Sequence, residues 1–118
     1  MSNRIDKLNS EFRKYIAELL AQKVKDPRLT EMFTIMQVDC DRELSTAKVF
    51  VSIFSTDPQR TKDTFAAMVD SENFLRTQIS KMMHIRTVPK FTFVMDTTME
   101  HSQRINEILN EVIKKDDD

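Results

Sequence analysis

The stretch DSENFLRTQISKMMHIRTVPKF, from Asp70 to Phe91, sets the topology, because it ends one helix, begins a second and enters a strand. An apolar face at helical spacing follows the junction: Leu75, Ile79, Met82 and Met83. Pro89 then suits the first residue of a strand. The chain contains no glycine, the residue that usually turns a chain between two helices. Another residue type must therefore make this turn.

Asn73 is the predicted turning residue, since Asn enters the left-handed region more readily than the other non-glycine types. It would then end the second helix with a positive φ. A second placement makes Asn73 the N-cap of the third helix, with an extended backbone. The sequence leaves both placements open. In either of them the third helix begins here with unpaired amides and a positive dipole end, which attract an anion.

Upstream of the junction, the sequence predicts a helix and two strands. An apolar stripe at helical spacing marks the first helix: Ile5, Leu8, Phe12, Ile16, Leu19, Leu20 and Val24. Pro27 is expected to end it, because a residue before proline is pushed out of the helical region. MFTIMQVDC (Met32–Cys40) and TAKVFVSIF (Thr46–Phe54) are predicted strands, joined by the short hairpin link DRELS.

Two further helices complete the predicted fold. Asp57 and Pro58 are typical of an N-cap and a first helical position. A last helix over about 98–114 is predicted after a capping box, Thr97 with Glu100, and an acidic tail occupies 116–118. The order α-β-β-α-α-β plus a helix predicts one α+β domain over 1–115, with helices on one face of a three-stranded mixed sheet.

Charge is distributed unevenly along this chain of 118 residues with net charge −1. Residues 73–95 carry four basic side chains and no acidic one, which favours a local anion-binding face. Two solvated helices that happen to be basic remain the alternative. The single cysteine, Cys40, excludes an internal disulfide, and no apolar run reaches the ~20 residues of a membrane span. We therefore expect a cytoplasmic protein without a membrane contact.

Five stretches carry a family resemblance along nearly the whole chain. They are VKDPRL (Val24–Leu29), ELSTAKVFVS (Glu43–Ser52), NFLRTQI (Asn73–Ile79), IRTVPKFTFVMD (Ile85–Asp96) and RINEIL (Arg104–Leu109). In these stretches and their order the chain resembles the ribosome-binding factor A family. The element order also resembles a type II KH domain, although the GXXG loop with which KH domains hold RNA is absent from this sequence.

The resemblance implies a KH-like bacterial assembly factor that binds the small (30S) ribosomal subunit and its 16S rRNA. Such proteins assist late subunit maturation and rRNA processing, matter most in the cold and catalyse no covalent chemistry. No cofactor, metal or small-molecule substrate is implied, and we expect a monomer. The family's junction is Ala-x-Gly before Phe, whereas this chain has Ser71, Glu72 and Asn73 before Phe74. Asn73 is compatible with the kink, while Glu72 adds a negative charge.

The predicted RNA-binding residues are the polar junction residues and the cations after them: Ser71, Asn73, Arg76, Lys81, Arg86 and Lys90. An accessory basic patch is predicted on and after the first helix: Arg4, Lys7, Lys25 and Arg28. Phe50 and Phe54 alternate opposite to Val49 and Val51, so they are predicted to line the other face of the sheet.

Two other function classes remain open. One is a protein-binding adapter of the same fold, whose basic face meets an acidic partner. The other is a small enzyme that uses His84, His101 or Cys40. Asp39 and Asp41 flank Cys40 and are expected to raise its pKa, which makes it a poor nucleophile.

Overall fold

A computed structural model describes residues 3–96, which form three helices and three strands. In chain order they are α1 (Asn3–Gln22), β1 (Met32–Cys40), β2 (Thr46–Phe54), α2 (Pro58–Asp70), α3 (Glu72–Met83) and β3 (Lys90–Met95). The predicted α-β-β-α-α-β order and the bounds of both hairpin strands are confirmed. The predicted last helix over 98–114, its capping box at Thr97 and Glu100, the tail and His101 lie outside the described residues.

The sheet is mixed, as predicted, and its strand order is β1-β2-β3. β1 and β2 are antiparallel, with Met32 opposite Phe54 and Cys40 opposite Ala47, and the register shifts at a bulge between Ile35 and Gln37. β2 and β3 are parallel, with Thr46 opposite Lys90 and Val51 opposite Met95. The parallel pair requires a crossover, which α2 and α3 supply.

One hydrophobic core joins the helices to a single face of the sheet. α1 contributes Phe12, Ile16, Leu19 and Leu20, the strands contribute Ile35, Val38, Cys40, Ala47, Val49, Val51, Phe91 and Phe93, and α2 and α3 contribute Met68, Leu75 and Ile79. The rings of Phe12 and Phe91 meet edge to face, with centroids 5.6 Å apart, which links α1 to β3. Leu75 and Ile79 are wholly buried, so this pair fixes which side of α3 faces outwards.

The sequence predicts the start of α2 correctly, but not the end of α1. Asp57 caps α2 as predicted, because its carboxylate accepts hydrogen bonds from the Gln59 and Arg60 amides at 2.9 and 3.3 Å. The predicted end of α1 at Pro27 is wrong. α1 ends at Gln22, and the amides of the next two residues both donate to the Leu19 carbonyl.

The hairpin link between β1 and β2 turns without glycine. Leu44 takes a left-handed conformation there, with φ 57°. The Leu44 amide donates to the Asp41 carbonyl at 3.1 Å, and the Asp41 carboxylate accepts hydrogen bonds from the Ser45 amide and hydroxyl. The hydrogen bonds from Ser45, chiefly that from its hydroxyl, lower the pKa of Asp41. Together the bonds of the turn hold Leu44 in a conformation that costs an L-residue energy.

The face of the sheet turned away from α1, α2 and α3 carries the alternate residues of each strand. Phe54 is 41% exposed there beside Met32, while Phe50 is half-buried. This arrangement follows the predicted alternation of β2.

Candidate nucleic-acid interface

Ser71, rather than Asn73, makes the turn between α2 and α3. Ser71 has φ −88° and ψ 2°, and it is both the last cap of α2 and the first cap of α3. Its amide donates to the Ala67 and Met68 carbonyls, and its hydroxyl donates to the Met68 carbonyl at 2.8 Å. These bonds satisfy the end of α2 without a positive φ, so the junction does not need glycine.

Both predicted placements of Asn73 are therefore wrong. Asn73 is the second residue of α3, and neither a left-handed hinge nor an N-cap. Its side chain is exposed, and its Oδ1 accepts a hydrogen bond from Arg76 Nη2 at 2.7 Å. Sequence reasoning failed here because φ near −90° with ψ near 0° is open to any residue type, so composition does not mark it.

Glu72 ties the junction to β3, a role that the sequence analysis missed. Its Oε1 accepts a hydrogen bond from the Phe91 amide at 3.1 Å and lies 2.8 Å from Arg76 Nε. The second contact is an ion pair without a hydrogen bond, since the Arg76 Nε–H is not aligned with the Glu72 oxygen. The negative charge of Glu72 is thus neutralised within the fold. The Glu-to-Arg spacing of four residues was the signal available in the sequence.

The outward side of α3 and the loop after it form a groove of about 470 Å³, here called the α3 groove. It gathers four of the predicted residues, Asn73, Arg76, Lys81 and Arg86, with Thr77, Ser80 and Val88 between them. Lys81 and Arg86 are exposed, and within residues 3–96 neither forms an ion pair. Arg76 is held by Glu72 and Asn73, so the two unpaired cations dominate the charge of the groove.

The end of α3 positions Arg86. His84 caps the helix in the left-handed conformation, at φ 55° and ψ 41°, and its amide donates to the Ser80 carbonyl. The Ile85 amide donates to the same carbonyl, while the Ser80 hydroxyl donates to the Ile85 carbonyl at 2.7 Å. This pair of bonds reverses the chain and places Arg86 beside the helix. His84 therefore has a structural role at this turn.

A second cavity, of about 490 Å³, adjoins the groove and is called the α1–α3 pocket. Arg4 and Lys7 of α1 line it together with Arg86, which lines the groove as well. The structure thus brings two residues of the predicted accessory patch to one of the principal predicted residues.

The other two accessory residues lie apart from this pocket. Lys25 lines a cleft of about 270 Å³ at the helix junction, with Ser71, Phe74 and Lys23. Phe74 is 41% exposed there, and neither it nor Lys23 was predicted as a site residue. Phe74 follows the predicted Asn73 directly and Lys23 stands two residues before the predicted Lys25, but burial alone distinguishes an exposed aromatic ring from a core one.

Arg28 is occupied by two carboxylates. Its Nη2 lies 2.7 Å from Asp26 and 2.8 Å from Asp70, which joins the loop after α1 to the end of α2. The hydrogen bonds from Arg28 lower the pKa of Asp26 to about 2, and those carboxylates raise the pKa of Arg28. In the same region, the hydroxyl of the fully buried Thr64 accepts a hydrogen bond from the Glu31 amide and donates one to the Arg28 carbonyl.

Lys90 lies on the opposite side of the sheet from the α3 groove. Phe91 and Phe93 are buried against the helices, so the pleat directs Lys90 to the other face, where it is exposed. The sequence places it close to Arg86 along the chain, but the start of β3 separates the two side chains.

Cys40 is 8% exposed at the end of β1, and its amide donates to Asn9 Oδ1 at 3.0 Å. Burial, with smaller contributions from Asp39 and Asp41, raises the pKa of the thiol to about 11. The predicted direction is confirmed, although burial is the larger cause.

Within residues 3–96, no three His, Cys, Asp or Glu side chains lie close enough to hold a metal ion.

No helix in the described part of the chain is both long enough and apolar enough to cross a membrane.

The sequence profile of ribosome-binding factor A matches residues 4–109. The chain is 34% identical to a ribosome-binding factor A of Caldicellulosiruptor bescii, over 98% of this chain and 89% of that protein. It is 33% identical to one of Clostridium botulinum, over 92% of this chain and 94% of that protein.

Solved structures share the fold. A Thermotoga maritima protein classed as a ribosome-binding factor A superposes with a TM-score of 0.67 at 30% identity, over 80% of this chain and 88% of that one. The crystal structure of a Thermus thermophilus ribosome-binding factor A gives a TM-score of 0.64 at 22% identity, over 75% and 91% of the two chains. A Thermus thermophilus homology model fitted into a cryo-EM map of a 30S complex gives 0.57 at 22% identity, over 73% and 88%.

Proposed function

The chain belongs to the ribosome-binding factor A family, and we propose that it binds the small (30S) ribosomal subunit through 16S rRNA and assists its late maturation and rRNA processing. The observation that carries the proposal is the α3 groove, which Lys81 and Arg86 both line as cations that form no ion pair within residues 3–96. A groove of this kind follows a nucleic-acid backbone, because each cation can replace a condensed counterion on a phosphate.

The junction supports the same proposal. α3 begins at Glu72 without a side-chain cap on its first amides, since the Ser71 hydroxyl is used by α2. The amides at this helix end favour a phosphate. Glu72 does not oppose it strongly, because Arg76 and the Phe91 amide already bind its carboxylate. The protein acts by binding rather than by covalent chemistry, in the cytoplasm where subunits mature.

Further cations extend this face unequally. Arg4 and Lys7 continue it beyond Arg86, and Lys25 continues it past Ser71. Arg28 serves to hold the loop after α1 and is assigned no phosphate. Lys90 can contact only RNA or protein that lies on the other side of the sheet, away from the α3 groove.

The test compares 30S binding across a salt series for the wild type and a Lys81→Ala/Arg86→Ala variant. Lys48→Ala/Lys62→Ala is the matched control, since it also removes two exposed lysine or arginine charges, but from β2 and α2. If each groove cation neutralises one phosphate, the slope of log K against log salt should flatten by about 1.5 in the groove variant. The control should keep the wild-type slope.

A groove variant that folds normally and keeps the wild-type slope would refute the RNA contact in this groove. A flattened slope on the 30S subunit also fits an acidic ribosomal protein as the partner of this basic face, as for an adapter, because salt screens those ion pairs as well. Binding to purified 16S rRNA fragments separates these results, because only the RNA proposal predicts salt-dependent binding there.

A further inference from the structure

We infer that the α1–α3 pocket receives one extruded nucleotide of single-stranded RNA, with its base against the apolar wall and its phosphate on the cations at the mouth. The inference rests on the proposed function and adds a subsite to it. Sequence-specific proteins commonly bind RNA through splayed bases rather than through paired helices.

The walls of the pocket suit a base. Leu8 and Phe12 of α1, Leu44 of the hairpin link, and Met83 and Ile85 at the end of α3 form an apolar lining. The volume of about 490 Å³ lies in the range that holds small organic ligands. A base can stack its flat face on such a lining while its polar edge keeps hydrogen-bond partners, whereas a bare phosphate gains nothing there.

The mouth suits a phosphate. Arg4, Lys7 and Arg86 are all exposed at its edge, and within residues 3–96 none of the three forms an ion pair. Arg86 also lines the α3 groove, so a strand held in that groove passes directly to the pocket. The pocket is therefore continuous with the proposed RNA path rather than a separate surface.

Glu11 is the one acidic residue of the lining within residues 3–96, and it predicts which base fits. Its half-buried carboxylate can only accept hydrogen bonds, so it favours a base that presents an exocyclic amino group. Cytosine presents such a donor at N4, as carboxylates in nucleic-acid interfaces use, whereas uracil presents an oxygen acceptor at the same position. The pocket should prefer cytosine to uracil.

The backbone around the pocket is held in an unusual state. The two residues with positive φ in the described chain are Leu44, which lines the pocket, and His84, which joins the lining residues Met83 and Ile85. Strained residues of this kind persist where the surrounding structure holds them, and they concentrate at binding sites. Here they shape two of the walls.

The experiment measures binding of fluorescent oligo(C) and oligo(U) octamers, with inorganic polyphosphate of equal charge as a competitor. The wild type should bind oligo(C) about tenfold more tightly than oligo(U). The amino group of cytosine donates a hydrogen bond to Glu11, whereas the oxygen of uracil faces the carboxylate as a second acceptor. Glu11→Gln should bring the ratio close to one, because its amide can both accept and donate.

A second variant tests the wall without endangering the fold. Leu44→Gly removes an apolar wall and suits the positive φ at that position, so it should fold. It should weaken binding of both octamers several-fold and leave competition by polyphosphate unchanged. Thr34→Gly, at an exposed position of β1 outside the pocket lining, is the control and should bind as the wild type does.

The outcomes separate the pocket from the wider proposal. Octamer binding that weakens in Lys81→Ala/Arg86→Ala but is indifferent to Glu11→Gln, Leu44→Gly and the choice of base would overturn the pocket and keep the RNA face. No binding of either octamer or of 16S rRNA by the wild type would overturn both. An acidic amphipathic peptide that shifts the Met83 methyl signal, where oligo(C) does not, would assign the pocket to a protein segment instead.

Discussion

Alanine and glycine variants at Asn73 and His84 should change stability with opposite signs, and this pair tests the junction directly. Asn73 lies in the first turn of α3 with a helical backbone, whereas His84 ends the same helix at φ 55°. At each site the comparison is made between Ala and Gly, so the loss of the original side chain cancels. The hydrogen bond from Arg76 to Asn73, for example, is missing from both variants at that site.

The magnitudes follow from the backbone alone. In a helix, Gly is less stable than Ala by about 0.5–1 kcal/mol, so Asn73→Gly should be less stable than Asn73→Ala by this amount. In the left-handed region an L-residue costs about 1–2 kcal/mol relative to Gly, so His84→Gly should be more stable than His84→Ala. With a urea m-value of about 1–1.5 kcal/mol/M for this size, midpoints should differ by roughly 0.5 M at the first site and 1 M at the second.

Equilibrium urea unfolding, followed by circular dichroism, measures all four midpoints. Equal m-values across the series would show that the unfolded and folded states remain comparable. If Asn73→Gly proved more stable than Asn73→Ala, Asn73 would be a left-handed hinge after all, and the assignment of the turn to Ser71 would be refuted. The same sign at both sites would contradict the reasoning as well.

Glu72→Ala should lower the free energy of unfolding by about 1–2 kcal/mol, because it leaves the Phe91 amide without its acceptor and Arg76 without its ion pair. Glu72→Gln, which keeps an acceptor, should lose less, and equal losses in thermal melts would contradict a role for that hydrogen bond. Asp26 should titrate by NMR with a pKa of about 2, returning towards 3.8 in Arg28→Gln. Because the folded-state pKa is depressed, the contribution of Asp26 to stability is present above about pH 4 and is lost as the pH falls through 2. A normal pKa of Asp26 in the wild type would exclude the Arg28 contact.

The elements could be predicted because their signals are local. The alternation of Ala47, Val49 and Val51 with polar and aromatic residues recovered β2, and Asp57 with Pro58 recovered the start of α2. The first signal depends on the pleat and the second on a cap hydrogen bond and the fixed φ of proline, and both act over a few residues of sequence. Together with the family resemblance they were enough for the topology and the mixed sheet.

The site required distances between residues far apart in the chain. Arg28 and Lys90 look like the other cations in the sequence, yet Asp70 binds one of them and the pleat of β3 turns the other away. Arg86, in contrast, joins the α3 groove to Arg4 of α1. The sequence determined which segments are helices and strands and where positive charge is abundant. Only the tertiary structure decided which of those charges are free and adjacent, because ion pairing depends on separation in space rather than along the chain.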